Sequence, residues 1–319
     1  MMNCWKMISS TGIAFLLSLQ LNAGETEDRI AEFLTHQSEV EACMSVLISR
    51  SGISEWIDPN LNENVAVSER YQRIILCRDT NEERMDGMQK PLGQNYSATE
   101  SQLIAGGECL YWTSVLAQPQ IRRVELKAGR PMNKTATGRL NPFTLPITIA
   151  TLILFERPEE NIFHQKMKVI EEYELKNGRF RAYLVANDGS VDGGIEVTFA
   201  KEPRWAPVEY RAYIRGDTPK ASGKLTSEIM KNWTLINTTT TEWKYIDDEP
   251  GWLPSKVIME SEDQTLDTYE FLLTDWKLGK DVDRSPLQKS QFTPQNIPKQ
   301  IDFEKVTAAF DEMRAKQKK

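Results

Sequence analysis

Two histidines and four cysteines are the strongest metal ligands that this 319-residue chain carries. His36 and Cys43 lie seven residues apart, so a helix would set them on one face. With Cys77 and Cys109 they make a four-ligand set of the kind zinc takes. Neither C-x-x-C nor H-x-x-x-H spacing occurs to support it. His164 reads as a surface residue beside a strand start. Carboxylates pair at Glu159-Glu160, Glu171-Glu172 and Asp247-Asp248. Adjacent strand residues point to opposite faces, so Glu171 and Glu172 are poorly placed to act on one substrate, and solvated charge accounts for such pairs. Asp188 and Asp192 lack the D-x-[DN]-x-[DN]-G order of a calcium loop, and a hairpin turn explains them better. The G-x-S-x-G nucleophile turn, the G-x-x-x-x-G-K-[ST] phosphate loop and G-x-G-x-x-G are all absent. No catalytic residue, metal or cofactor is expected, and the chain does not read as an enzyme.

Composition narrows the partners. Hydrophobic residues make up 40% of the chain, enough for a sizeable core. Lys and Arg number 39 against 46 Asp and Glu, a net charge of -7, which argues against nucleic acid.

The elements that must position any site follow from periodicity. In Glu25–Ile48, the residues Ile30, Phe33, Leu34, Val40, Met44 and Leu47 return at helical spacing, so one amphipathic helix is expected there. Pro59 and Asn60–Asn64 mark a linker. From Tyr71 the texture becomes short strands: Ile74–Cys77, then a hairpin of Gln102–Ile104 and Cys109–Val115 around Ala105-Gly106-Gly107, then Ile121–Lys127. Ile147–Phe155 is a short buried helix or a strand. Lys166–Leu175 alternates, and Arg179–Ala186 and Ile195–Ala200 flank the turn Asn187-Asp188-Gly189. Val208, Tyr210, Ala212 and Ile214 share one strand face. Trp233–Ile236, Thr241–Ile246, Ser255–Met259 and Thr268–Leu273 follow without helices between them, which predicts an antiparallel meander. Phe303–Met313 is a second amphipathic helix, ahead of a Lys-rich tail. Glu202-Pro203-Arg204-Trp205-Ala206-Pro207 and Glu249-Pro250-Gly251-Trp252-Leu253-Pro254 repeat E-P-x-W-x-P before a strand, which reads as a recurring structural corner.

The first 23 residues give an address. Lys6, the apolar run Gly12–Leu21 and Leu21-Asn22-Ala23 have the order of a secretory signal. The run falls short of the roughly 20 residues that span a bilayer. Cys4 leaves with such a signal, so Cys43, Cys77 and Cys109 remain and at most one intramolecular bridge forms. Either Cys77 and Cys109 pair in an oxidising compartment, or all three are small buried hydrophobes.

A leading amphipathic helix, a long meander, a Gly-turn hairpin with Leu110-Tyr111-Trp112, Asn141-Pro142-Phe143 and the closing Gln291-Phe292-Thr293-Pro294 with Pro298 are together similar to the LolA/LolB-like periplasmic lipoprotein carriers. The likeness runs from Tyr71 to Ile301. It implies an α+β fold: an antiparallel, incomplete half-barrel with flanking amphipathic helices on its concave side. Expected divisions are 1–23 signal, 24–58 N-terminal helix and linker, 65–302 half-barrel, and 303–319 C-terminal helix and basic tail. The family's strand-borne arginine, which helps hold a lid closed, has no counterpart: Arg78 lies near the place, but Leu76, Cys77 and Asp79 around it do not match. The sequons headed by Asn95, Asn133, Asn232 and Asn237 matter only in a eukaryotic source, and the likeness points to a bacterial envelope.

The function so implied is that of an exported, periplasmic or extracellular binding protein that shelters a lipid, acyl chain or lipidated peptide. Its partners would be a hydrophobic ligand or lipidated protein, with transient contact to a membrane or envelope protein. The alternative is an envelope interaction or regulatory protein that binds a protein partner with the same fold. Candidate concave-face residues are Val208, Tyr210, Ala212, Ile214, Val257, Met259, Phe271 and Leu273.

Overall fold

The computed structural model describes residues 25–54, 66–91, 98–114, 121–125, 167–186, 193–202, 204–215, 226–246, 251–262, 268–293 and 296. The helix α1 (Glu25–Glu41) comes first. Six strands follow: β1 (Met44–Ser54), β2 (Ala66–Cys77), β3 (Glu82–Pro91), β4 (Ala98–Ala105), β5 (Glu108–Thr113) and β6 (Arg122–Glu125). Then come β7 (Met167–Leu175), β8 (Arg179–Ala186), β9 (Gly193–Ala200) and β10 (Ala206–Ile214). The five-residue helix α2 (Ser227–Lys231) precedes β11 (Thr234–Tyr245), β12 (Trp252–Ser261) and β13 (Thr268–Leu278).

All thirteen strands form one sheet, in the order β6-β5-β4-β3-β2-β1-β13-β12-β11-β10-β9-β8-β7. Two meanders therefore meet at an antiparallel ladder between the first strand and the last, running from Met44↔Leu278 to Ile53↔Thr268. β6 and β7 are the free edges of an open sheet. Tight turns set the registers. Gly106 and Gly107 both take positive φ in the two-residue turn between β4 and β5, and Asn177 and Gly178 (both φ 65°) lie in the three-residue turn that joins β7 to β8.

Alternation divides the core into two faces. On the inner face Met44, Val46 and Ile48 of β1 join Ile74, Leu76, Met85, Val257, Met259, Phe271 and Leu273. Phe180, Ala182, Leu184, Ile195, Val197, Phe199, Tyr210 and Ala212 continue it across β8–β10. On the outer face Ile75, Leu103, Leu110 and Trp112 lie against Val282, Leu287 and Phe292. Those three come from three 3-10 turns, Gly279–Asp281, Ser285–Leu287 and Lys289–Gln291, which carry the chain from β13 back over the outer side of β3 and β4.

Several expectations are corrected. The helix ends at Glu41, and Met44–Ser54 is a strand; Met44, Val46 and Ile48 also fit a period of two, and β1 pairs on both sides. Trp233–Ile236 and Thr241–Ile246 are parts of one strand, β11. β3, a strand the apolar pattern does not signal, alternates Glu83 and Met85 with Arg84 and Asp86. The bridge is Cys43–Cys77, with Cys109 a buried free thiol. Cys43 precedes β1 and sits opposite the end of β2, where Met44 pairs with Leu76, whereas β3 and β4 separate Cys77 from Cys109. Flanking helices on the concave side reduce, among the described residues, to α1. The signal segment, the linker, Ile147–Phe155, His164, the Asn187-Asp188-Gly189 turn and Phe303–Met313 lie outside the described residues.

The outer strap is fixed by a buried ion pair. Arg84 is fully buried and donates through Nε to Asp86 Oδ2 (2.9 Å) and through Nη1 to the Pro286 carbonyl (2.8 Å). The Phe292 ring lies 5.1 Å from its guanidinium, and the Ser101 hydroxyl donates to Asp86. Removing one partner strands a charge in the core, so Arg84→Ala is expected to cost about 3–5 kcal/mol in urea unfolding. A loss under about 1 kcal/mol would show that the strap is held by its apolar contacts instead.

Candidate functional site

The candidate site is the inner face beneath α1. Phe33 and Val40 of the helix enter the cluster over β1, β2, β12 and β13, and Ile30 packs on the cluster over β8–β10. One helix thus bridges both meanders. Its buried positions, Thr26, Phe33, His36, Gln37, Val40 and Glu41, keep helical spacing, but four of the six are polar.

Polar contacts fasten the helix around its margins. At its start the Glu172 carboxylate of β7 accepts from the Thr26 backbone N–H (2.9 Å) and from the Thr26 hydroxyl. An anion there offsets the positive end of the helix dipole. At its end Glu41 accepts from Gln37 (2.9 Å) and pairs with Arg78. Arg78 is therefore a turn residue tied to α1 rather than a strand-borne arginine. The disulfide follows immediately and ties the start of β1 to the end of β2.

Both E-P-x-W-x-P segments act on the helix as well. Arg204, Trp205 and Gly251 take positive φ, so each corner reverses just before its strand. Arg204 pairs with Glu39 at 2.6 Å. The Arg29 guanidinium lies 3.9 Å from the ring centroids of both Trp205 and Phe180. In the second corner the Trp252 carbonyl accepts from His36 Nε2 (2.8 Å). The last proline carbonyl of each corner accepts from an indole one strand further on, Pro207 from Trp243 (3.3 Å) and Pro254 from Trp276 (3.2 Å). The repeat is a structural corner, as its sequence suggests, and it also forms the rim on which α1 rests.

Six of the eight candidate concave-face residues, Tyr210, Ala212, Val257, Met259, Phe271 and Leu273, are buried in the two inner clusters. Ile214 packs on the second cluster from its edge. Val208 is half-buried and is the extra residue of a bulge, since Pro207 pairs with Phe199 and Glu209 with Thr198. Sequence reasoning passed over Asn237, Thr239 and Thr241, which are buried on the inner face of β11 between Tyr210 and Met259. Their signal is a run of β-branched threonines in an otherwise apolar series.

The zinc set considered from the sequence is dispersed. Cys43 and Cys77 are bonded to each other, His36 bonds the Trp252 carbonyl, and Cys109 lies on β5. Asp79 approaches the two bridged sulfurs, which as a disulfide are not thiolate ligands. No helix of the described residues is long and apolar enough to cross a membrane.

No family model matches the sequence, and no curated protein matches it. Solved structures align with it over most of its length. A putative outer membrane lipoprotein-sorting protein domain from Vibrio parahaemolyticus aligns at 12% identity and a TM-score of 0.45, over 83% of this chain and 96% of that one. A LolA superfamily protein from Nitrosomonas europaea aligns at 10% identity and 0.38, over 83% and 99%. A DUF1329 family protein from Desulfovibrio piger aligns at 8% identity and 0.44, over 84% and 97%.

Two outcomes test this geometry. Burial lowers the His36 pKa from 6.5 and outweighs the carbonyl of Trp252, which raises it; Arg204 lowers it further and Glu39 raises it. The unfolded chain then takes up the proton first as the pH falls. His36 contributes stability above about pH 6.5 that is lost below it. Melting temperature is expected to fall between pH 7.5 and 5.5, and His36→Gln should flatten that slope; an unchanged slope would place the titration elsewhere. Burial, then the Glu83 charge, raises the Cys109 thiol pKa against a hydrogen bond from Gln102. Iodoacetamide should therefore label Cys109 only after denaturation, and labelling of the folded protein would show that β5 opens.

Proposed function

We propose that this chain is an exported binding protein that shelters a hydrophobic group, a lipid, acyl chain or lipidated peptide, on the inner face of an open half-barrel. The observation that carries this reading is the cover. Two apolar clusters, one over β1, β2, β12 and β13 and one over β8–β10, lie among the described residues under the same 17-residue helix. That helix is about 25 Å long, whereas thirteen strands span about 60 Å. Its apolar contacts through Phe33 and Val40 alternate with polar contacts through Thr26, His36 and Glu41, and it serves as a cover that lifts when those polar contacts are exchanged. An apolar face beneath a removable cover suits a hydrophobic occupant.

The eight candidate residues, Val208, Tyr210, Ala212, Ile214, Val257, Met259, Phe271 and Leu273, are assigned to the wall that the occupant touches. Export to a bacterial envelope follows from the signal-like first 23 residues and agrees with the Cys43–Cys77 bridge, since disulfides persist in oxidising compartments. The partners are then a lipidated protein or free lipid and the membrane or envelope protein that exchanges it.

Titration of the purified protein with a fluorescent fatty-acid analogue, followed by competing lipid, tests the reading. Saturable and competed binding is expected, with Phe33→Ala changing the affinity at least threefold because its ring edge meets Trp243 under the cover. A folded protein that binds no analogue would overturn the carrier reading and direct attention to a protein partner.

A further inference from the structure

The inner face is not uniformly apolar. Along β11 the side chains of Asn237, Thr239 and Thr241 point inward at successive i, i+2 positions. Tyr210 pairs with Thr239 from β10, and Met259 and Val257 face Thr239 and Thr241 from β12. Tyr210 and Thr239 are 0% exposed, Asn237 2% and Thr241 6%. The Tyr210 hydroxyl, Asn237 Oδ1, Thr239 Oγ1 and Thr241 Oγ1 are buried without a hydrogen-bond partner among the described residues.

Other buried polar groups have charged or hydroxyl partners: Arg84 has Asp86, which also accepts from Ser101, and Glu196 has Arg181, Arg211 and Tyr213. Trp112 Nε1 and Trp233 Nε1 are also unpartnered, but as single donors on separate outer clusters. Four contiguous oxygens on one stripe are a different matter, because a buried polar group without a partner is destabilising while valine would fill the place of threonine. Burial alone raises the Tyr210 phenol pKa, with no charge contributing, so the stripe is electrically neutral. Hydroxyls donate and accept, and the amide oxygen only accepts, so the matching group must offer both a donor and an acceptor.

We propose that Tyr210, Asn237, Thr239 and Thr241 form a polar subsite that takes the uncharged hydroxyl- or amide-bearing end of an amphiphilic ligand whose chain lies on the apolar face. This rests on the binding-protein reading and specifies its ligand: a neutral amphiphile rather than bare hydrocarbon.

The test uses the full chain with two probes, pyrene, which has no donor or acceptor, and 1-palmitoylglycerol, measured by displacement of pyrene. Thr239→Val and Thr241→Val keep the side-chain shape and remove the hydroxyl, and Tyr210→Phe gives an independent variant. Each is expected to weaken 1-palmitoylglycerol about three- to tenfold while leaving pyrene affinity within twofold and melting temperature unchanged or raised. If pyrene binds and the variants leave 1-palmitoylglycerol unaffected, or weaken both probes alike, the stripe is satisfied by water and the subsite is refuted while the binding-protein reading stands. If the folded wild type binds neither probe, that reading falls and the subsite with it.

Discussion

The ladder between β1 and β13 is the interaction on which the other features depend. It joins strands from opposite ends of the described chain, and without it β1–β6 and β7–β13 would be separate meanders. Each would have an apolar side and no partner for it. Pairing Met44–Ile53 with Thr268–Leu278 makes those sides continuous, so α1 packs on both at once. The bulge in this ladder, at Asp275 with φ 54°, adds to the junction: its carboxylate reaches Arg73 on the outer side at 3.1 Å, and Trp276 after it packs on the inner cluster. Such long-range pairing costs much chain entropy and forms slowly. The Cys43–Cys77 bridge stands at the same place and ties the start of β1 to the end of β2.

Given that junction, the two faces are treated differently. The outer face is covered, among the described residues, by the 3-10 strap and by α2. The Gly279–Gln291 strap is locked by Arg84, by Lys289 to Glu108 at 2.6 Å and by Arg284 to Asp79 at 2.7 Å. Helix α2 presses Met230 so close to Gly194 that a Cβ there would sit 2.4 Å from its sulfur. Among the described residues the inner face has α1, whose rim contacts are ion pairs, carbonyl hydrogen bonds and a stacked guanidinium. Of its ion pairs, Arg204–Glu39 is exposed on both sides and contributes little.

Much of this was legible where period and turn chemistry agree. β8, β9 and β10 show clean alternation, the β4–β5 hairpin has its Gly-Gly turn, and the repeated E-P-x-W-x-P announces two corners. What failed did so for physical reasons. Met44, Leu47 and Val40 satisfy a helical period by coincidence of spacing, and only pairing on both sides decides for β1 as a strand. β3 carries its alternation in Glu83, Arg84, Met85 and Asp86; a buried arginine and aspartate look like solvent residues until the strap that covers them is known. β11 was divided in two because Thr238–Thr241 break the apolar series, although threonine suits a strand as well as valine does. The Cys43–Cys77 bridge was not foreseen, because pairing depends on strand order, which cysteine spacing does not contain.

The free edges show why the sheet stays open. An exposed edge strand invites pairing, and a half-barrel with two compatible edges would close on itself or on a second copy. Here β6 is only four residues long and opens with Arg122 and Arg123. β7 carries Lys168, Glu171, Glu172 and Glu174, with a bulge between Val169 and Glu171. The two acids beside the bulge are already engaged in opposite directions: Glu172 caps α1 inside and Glu171 accepts from the Ser227 N–H of α2 outside. Charge, shortness and the bulge therefore disfavour pairing at both edges of the described sheet.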